Sequence, residues 1–234
     1  MIRLLLLSNS TNHGGGYLDH AADALRAFLG PRRRLLFVPF ALADTAGYSV
    51  KFRQRLAREG IEVEGLSLDT GRQQLEEAQA VFTGGGNTFR LLARLQGAGL
   101  LDPLRHRVQA GLPYLGASAG SNLACPTIRT TNDMPIVEPA GFEALGVLPF
   151  QINPHYVDAD PSSSHMGETR ETRLREYLEE NTLPVLGLRE GAWLRREGAA
   201  LHLEGANGAR LFRRDTAPEE LAPGADLGGL LAGS

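Results

Sequence analysis

The feature that most constrains the fold of this chain is an alternation of short apolar runs with stretches of helical periodicity. The runs are Ile2–Ser8, Leu35–Pro39, Ile61–Leu66, Ala80–Thr83, Pro113–Gly116 and Val185–Leu188. Between them, Tyr17–Leu29 repeats apolar residues at near-helical spacing and stops at Gly30-Pro31, and Thr45–Glu59 stops at Gly60. Asn87 is placed to cap a helix over Thr88–Gln96, and Gly167–Asn181 puts Leu174, Tyr177 and Leu178 on one face. Strand–helix alternation of this kind predicts an α/β fold: a mostly parallel sheet flanked by helices on both faces. The end of the chain reads differently. Ala192–Arg196, Ala200–Glu204 and Ala209–Arg213 are short strands separated by Gly-containing turns, the pattern of a C-terminal antiparallel edge. Without a repeat or a long linker, residues 1–234 are expected to form a single unit.

Composition narrows the functions available. With 42% hydrophobic residues the chain is too apolar for disorder, and none of its apolar runs approaches the roughly 20 residues of a membrane helix. The opening Leu4–Leu7 is too short for a signal sequence and reads as a buried strand. A formal charge of −3 leaves little positive field to capture nucleic acid. One cysteine, Cys125, excludes an internal disulfide framework and makes a reducing cytoplasm the expected location.

The chemistry concentrates in Gly116-Ala-Ser-Ala-Gly120, a G-x-S-x-G pentapeptide lying where a predicted strand meets a predicted helix. In that context Ser118 is a nucleophile-elbow candidate, and the Ala119 amide at the helix start is a candidate oxyanion donor. The competing reading is a tight structural turn. Gly84-Gly-Gly86 follows another strand at the same sheet edge, so the Gly86 N–H is the candidate second donor. A phosphate cradle there lacks the Lys-Ser/Thr of a P-loop. A serine needs a base. Of six histidines, His106 and His202 sit in polar stretches, and His13 and His20 flank the first strand-to-helix loop, within reach of the site but reading more as surface residues; His155 emerges from the apolar run Leu148–Pro154, broken at Asn153-Pro154. For the orienting acid, Glu190 after Val185–Leu188 and Asp133 in Thr130-Thr-Asn-Asp-Met134 are both candidates that spacing does not separate.

Taken in order, Leu4-Leu-Leu-Leu-Ser-Asn-Ser10, Phe82-Thr-Gly-Gly-Gly-Asn87, Gly116-Ala-Ser-Ala-Gly-Ser-Asn122, Asn153-Pro-His-Tyr156, His165-Met-Gly-Glu-Thr-Arg170 and Gly187-Leu-Arg-Glu-Gly191 resemble the peptidase E family of aspartyl dipeptidases over nearly the whole chain. The resemblance implies a fold similar to class I glutamine amidotransferases and a cytoplasmic serine peptidase that removes N-terminal aspartate from Asp-X dipeptides without metal or nucleotide. It implies Ser118 as nucleophile, His155 as base and Glu190 as acid, with Asp133 the alternative acid. For the acidic substrate, Arg170 and Arg173 are candidate cations on one helical face, Asp158, Asp160 and Glu168 are candidate carboxylates for the amino group, and Asn87 is a further binding candidate. The composition of Asp158–Ser164 suggests a lid. The rival readings are a cyanophycinase-like peptidase acting on β-linked Asp-Arg, a non-catalytic small-molecule-binding protein on the same scaffold and, more weakly, covalent transfer through Cys125. Homo-oligomerisation is left open by the sequence.

Overall fold

The computed structural model describes residues 1–159 and 167–232. Its strands are β1 (Arg3–Leu7), β2 (Arg34–Val38), β3 (Glu62–Gly65), β4 (Val81–Thr83), β5 (Tyr114–Ala117), β6 (Gln151–Tyr156), β7 (Val185–Arg189), β8 (Ala192–Glu197), β9 (Ala200–Gly205), β10 (Ala209–Phe212) and β11 (Glu219–Leu221). The helices are α1 (Ala22–Leu29), α2 (Thr45–Ala57), α3 (Gly71–Glu77), α4 (Thr88–Gly97), α5 (Leu101–Gln109), α6 (Ala119–Leu123) and α7 (Arg170–Glu180).

Seven strands make the main sheet in the order β3-β2-β4-β5-β1-β8-β9. The first five run parallel, and β8 and β9 add an antiparallel edge. The leucine run of β1 shows why continuous apolarity is needed: Leu4 and Leu6 enter one core with α4 and α5, and Leu5 and Leu7 enter another with α1 and α2. Side chains alternate across a strand, so a strand covered on both faces has no polar position to give away.

Three expectations need correction. Val185–Leu188 does not join the main sheet; β7 belongs to a second sheet ordered β11-β10-β7-β6, where it runs parallel to β6 and antiparallel to β10. The C-terminal meander is divided accordingly, β8 and β9 completing the first sheet and β10 and β11 the second. The physical reason is a third apolar surface: Val185, Phe212 and Tyr156 pack on Leu174 and Leu178 of α7, while Leu186 and Leu188 face the large core. Nor is the run before His155 broken at Pro154, because β6 is the edge strand of its sheet and an edge strand tolerates a residue without an N–H.

Candidate active site

The parallel strands β4 and β5 end side by side, so the loops leaving them meet. Ser118 turns the chain from β5 into α6 with φ 53° and ψ −110°. A non-glycine residue in this region costs on the order of 1–3 kcal/mol and persists only where its surroundings fix it. They do. The Ser118 N–H donates to the Leu7 carbonyl at 3.0 Å, and the Ser121 hydroxyl donates to the same oxygen at 2.6 Å. The flanking glycine is a packing necessity, since a Cβ on Gly120 would lie 2.1 Å from the Thr83 carbonyl oxygen.

Opposite the hydroxyl stands His155, whose Nε2 is 2.9 Å from Ser118 Oγ and whose Nδ1 is 2.6 Å from Glu190 Oε1. His155 sits where the β6–β7 register shifts, with φ 53°, a bulge that re-aims its side chain out of the strand. Glu190 lies in the turn between β7 and β8, where its own carbonyl accepts from Asn207 Nδ2 at 2.6 Å. The hydroxyl, imidazole and carboxylate form one hydrogen-bonded line, and such a line can pass the serine proton to a ring whose other nitrogen is already held. Its outer end is open, the side chains of His155 and Glu190 being 39% and 50% exposed.

The glycine loop closes the other side. A Cβ on Gly85 would stand 3.2 Å from Ser118 Cβ, so the loop backbone is in contact with the serine. Gly86 has φ +132° and is hemmed in by Leu42 and the Ala41 carbonyl. Among the described residues, neither the Gly86 N–H nor the Ala119 N–H donates to another group.

The family model for peptidase family S51 matches residues 4–204. The chain belongs to that family. It is 60% identical over 232 residues to a protein named peptidase E from Streptomyces coelicolor, covering 98% of this chain and 95% of that one. It is 51% identical over 232 residues to a probable alpha-aspartyl dipeptidase of Drosophila melanogaster, covering 97% of each. The fold matches a solved peptidase from an acI-B1 actinobacterium with a TM-score of 0.73 over 97% of each chain, at 18% identity.

Around this hydrogen-bonded line, the other residues singled out by sequence fare unevenly. Asp133 is not in the hydrogen-bonded line. Its Oδ2 accepts from the Thr88 N–H at 2.7 Å, the Thr88 hydroxyl at 2.6 Å and the Thr131 hydroxyl at 3.1 Å, which makes it a tether for the start of α4. Asn87 is occupied too, Oδ1 capping α4 through the Arg90 N–H and Nδ2 donating to the Met134 carbonyl. Asp158 is gripped by Arg189 at 2.7 and 3.0 Å, and that contact holds its carboxyl below the usual aspartate value. Each of its oxygens accepts from Arg189, so its charge is already paired. Arg173 pairs with Glu168 at 3.4 Å. Arg170 opens α7, half-buried, and among the described residues it pairs with no carboxylate. Burial and the neighbouring Arg173 both lower its pKa, against a longer-range attraction from Asp133. Asp160, His165 and most of the Asp158–Ser164 stretch lie outside the described residues. Cys125 is fully buried, its thiol pushed up to about 12 by desolvation, so it offers no thiolate for transfer chemistry.

Sequence reasoning missed Thr88 and Thr131, which share a hydrogen-bond cluster with Asp133, and Asn207, which makes one long-range bond to the Glu190 carbonyl, and it misplaced His20. Rather than facing solvent, both ring nitrogens of His20 are shielded and its ring lies 6.3 Å from that of Trp193. No described helix is long and apolar enough to cross a membrane.

Proposed function

We propose that the chain is a cytoplasmic serine dipeptidase that releases aspartate from the N-terminus of Asp-X dipeptides through an acyl-enzyme. The observation that carries the mechanism is the 2.9 Å and 2.6 Å hydrogen-bonded line from Ser118 through His155 to Glu190. In this reading Ser118 Oγ attacks the scissile carbonyl while His155 Nε2 takes its proton. The imidazolium that forms is stabilised by Glu190, and the same proton then goes to the leaving amine. The Gly86 and Ala119 N–H groups receive the oxyanion, and losing one such donor costs roughly 3–4 kcal/mol in the transition state. His155 next activates a water that attacks the ester, freeing aspartate and restoring the serine.

Selectivity for aspartate rests on Arg170. A cation in the first turn of a helix opposes the macrodipole, and half-burial beside a second arginine makes its position worse still. A substrate carboxylate relieves both penalties and is gripped by the guanidinium fork. The alpha-aspartyl dipeptidase relative supports the same substrate class.

The test is hydrolysis of Asp-Leu, Leu-Leu and β-Asp-Arg, read as release of the free N-terminal amino acid. Turnover of Asp-Leu alone, abolished by Ser118→Ala and weakened more than tenfold in KM by Arg170→Met, is the expected result. Equal cleavage of Leu-Leu overturns the selectivity, and preference for β-Asp-Arg moves the assignment to the isopeptide class.

A further inference from the structure

The three residues of the hydrogen-bonded line come from segments far apart in sequence, and one short stretch at the end of β1 touches all three segments. The Leu7 carbonyl accepts from the Ser118 N–H at 3.0 Å. Ser8 Oγ, fully buried, accepts from the His155 N–H at 2.8 Å and donates to the Leu188 carbonyl at 2.7 Å. The Ser8 N–H donates to the Ala192 carbonyl at 3.0 Å, and Asn9 Oδ1 accepts from the Gly191 N–H at 2.9 Å, which brackets Glu190 from its far side.

We propose that Ser8 is a positioning residue for the reaction, its hydroxyl setting the His155 ring between Ser118 and Glu190. The β6–β7 register pairs Pro154 with Leu188 and shifts immediately afterwards, at His155. At that break the Ser8 hydroxyl is inserted between the strands, receiving the N–H of one and giving its proton to the carbonyl of the other. A bulged residue has no ladder partner of its own, so the hydroxyl supplies the bond that holds His155 at φ 53°. Leu188 stands two residues before Glu190 in the sequence, so the same hydroxyl ties the imidazole-bearing and carboxylate-bearing strands to the strand that anchors the nucleophile turn. It touches neither substrate nor reacting atoms and acts only through the geometry of His155.

Ser8→Ala leaves the His155 N–H and the Leu188 carbonyl without their shared partner. A ring displaced by about 1 Å loses on the order of 100-fold in rate. The inference rests on the serine-peptidase reading, and the experiment separates the two. Full-length wild type, Ser8→Ala and Ser8→Cys are compared by steady-state kinetics on Asp-Leu and by the rate of Ser118 labelling with a fluorophosphonate. The far-downfield proton resonance of His155 Nδ1–H, assigned by its loss in His155→Gln, is followed in parallel. The expected result for Ser8→Ala is a fall of about 100-fold in kcat and in labelling rate, with KM within threefold and a lost or displaced resonance. Ser8→Cys, similar in volume but with longer and weaker bonds, falls between wild type and Ser8→Ala. Labelling and resonance unchanged in a folded Ser8→Ala, or in Ser8→Cys if the alanine variant does not fold, overturn the proposal. A wild type that is labelled rapidly yet releases nothing from Asp-Leu refutes the substrate assignment and leaves the Ser8 comparison standing.

Discussion

Glu190 and Asp133 look equivalent as carboxylates and do opposite work. Glu190 is half exposed and meets an imidazole, whereas Asp133 takes three hydrogen bonds at the start of a helix. Glu190→Gln should therefore lower kcat by roughly two to four decades with little change in unfolding free energy. Asp133→Asn should cost about 1–2 kcal/mol in denaturant unfolding while kcat stays within tenfold. If Asp133→Asn is the more damaging to kcat, the assignment of the acid is reversed. His20 gives a prediction in pH. Its burial lowers the pKa from the ordinary histidine value of 6.5, outweighing the opposing pull of Asp19 and Glu190. Above that value neither state is protonated there. As pH falls through it, the unfolded chain takes up a proton that the folded one resists, and stability declines. His20→Gln should flatten the loss of stability as pH falls below about 6.5, read by urea unfolding at each pH. Ser118 and His155 were legible in the sequence because a small-residue turn and the end of an apolar run are local patterns. His20 was not, because its shelter comes from Trp193, on a strand far along the chain.

Elements were legible wherever their own residues decide them. Strand β1 and helix α4, with its Asn87 cap and terminal Gly97, follow the sequence within a residue or two. Helices α3 and α5 were not anticipated. The first has only Leu75 and Gly71 buried and is otherwise polar, so packing against α5, not periodicity, makes it. In the second, Pro103 reads as a breaker but falls in the first turn, where no N–H is needed. The β4 and α6 elements approach each other with almost no tolerance. Because the Gly120 position faces the Thr83 carbonyl at a distance no methyl accepts, Gly120→Ala must push strand and helix apart. The expected cost is about 3 kcal/mol in denaturant unfolding with loss of Ser118 labelling. An alanine variant of wild-type stability would remove the close-approach argument.

At the scale of the molecule, the parallel sheet was readable from strand–helix alternation, and the second sheet was not. Which strand joins which sheet is decided by where Val185, Phe212 and Tyr156 find apolar cover, and that depends on partners distant in sequence. The second sheet also carries a surface network in which Arg210 reaches Glu171 at 2.8 Å and Asp158 at 3.6 Å. Arg210 and Glu171 are only 24% and 27% exposed, so Arg210→Gln should cost about 1–2 kcal/mol, against about 2–5 kcal/mol for Leu188→Ala in the core. Both are measurable by chemical denaturation, and comparable losses would give the network the structural weight of a core residue. Ser118 and His155 each hold a left-handed backbone with a side chain that disfavours it. Glycine at either place would relieve that tension while abolishing turnover. Laboratory evolution selecting only for heat tolerance would thus drift toward well-folded, inert proteins, and every round aimed at robustness has to screen for hydrolysis as well.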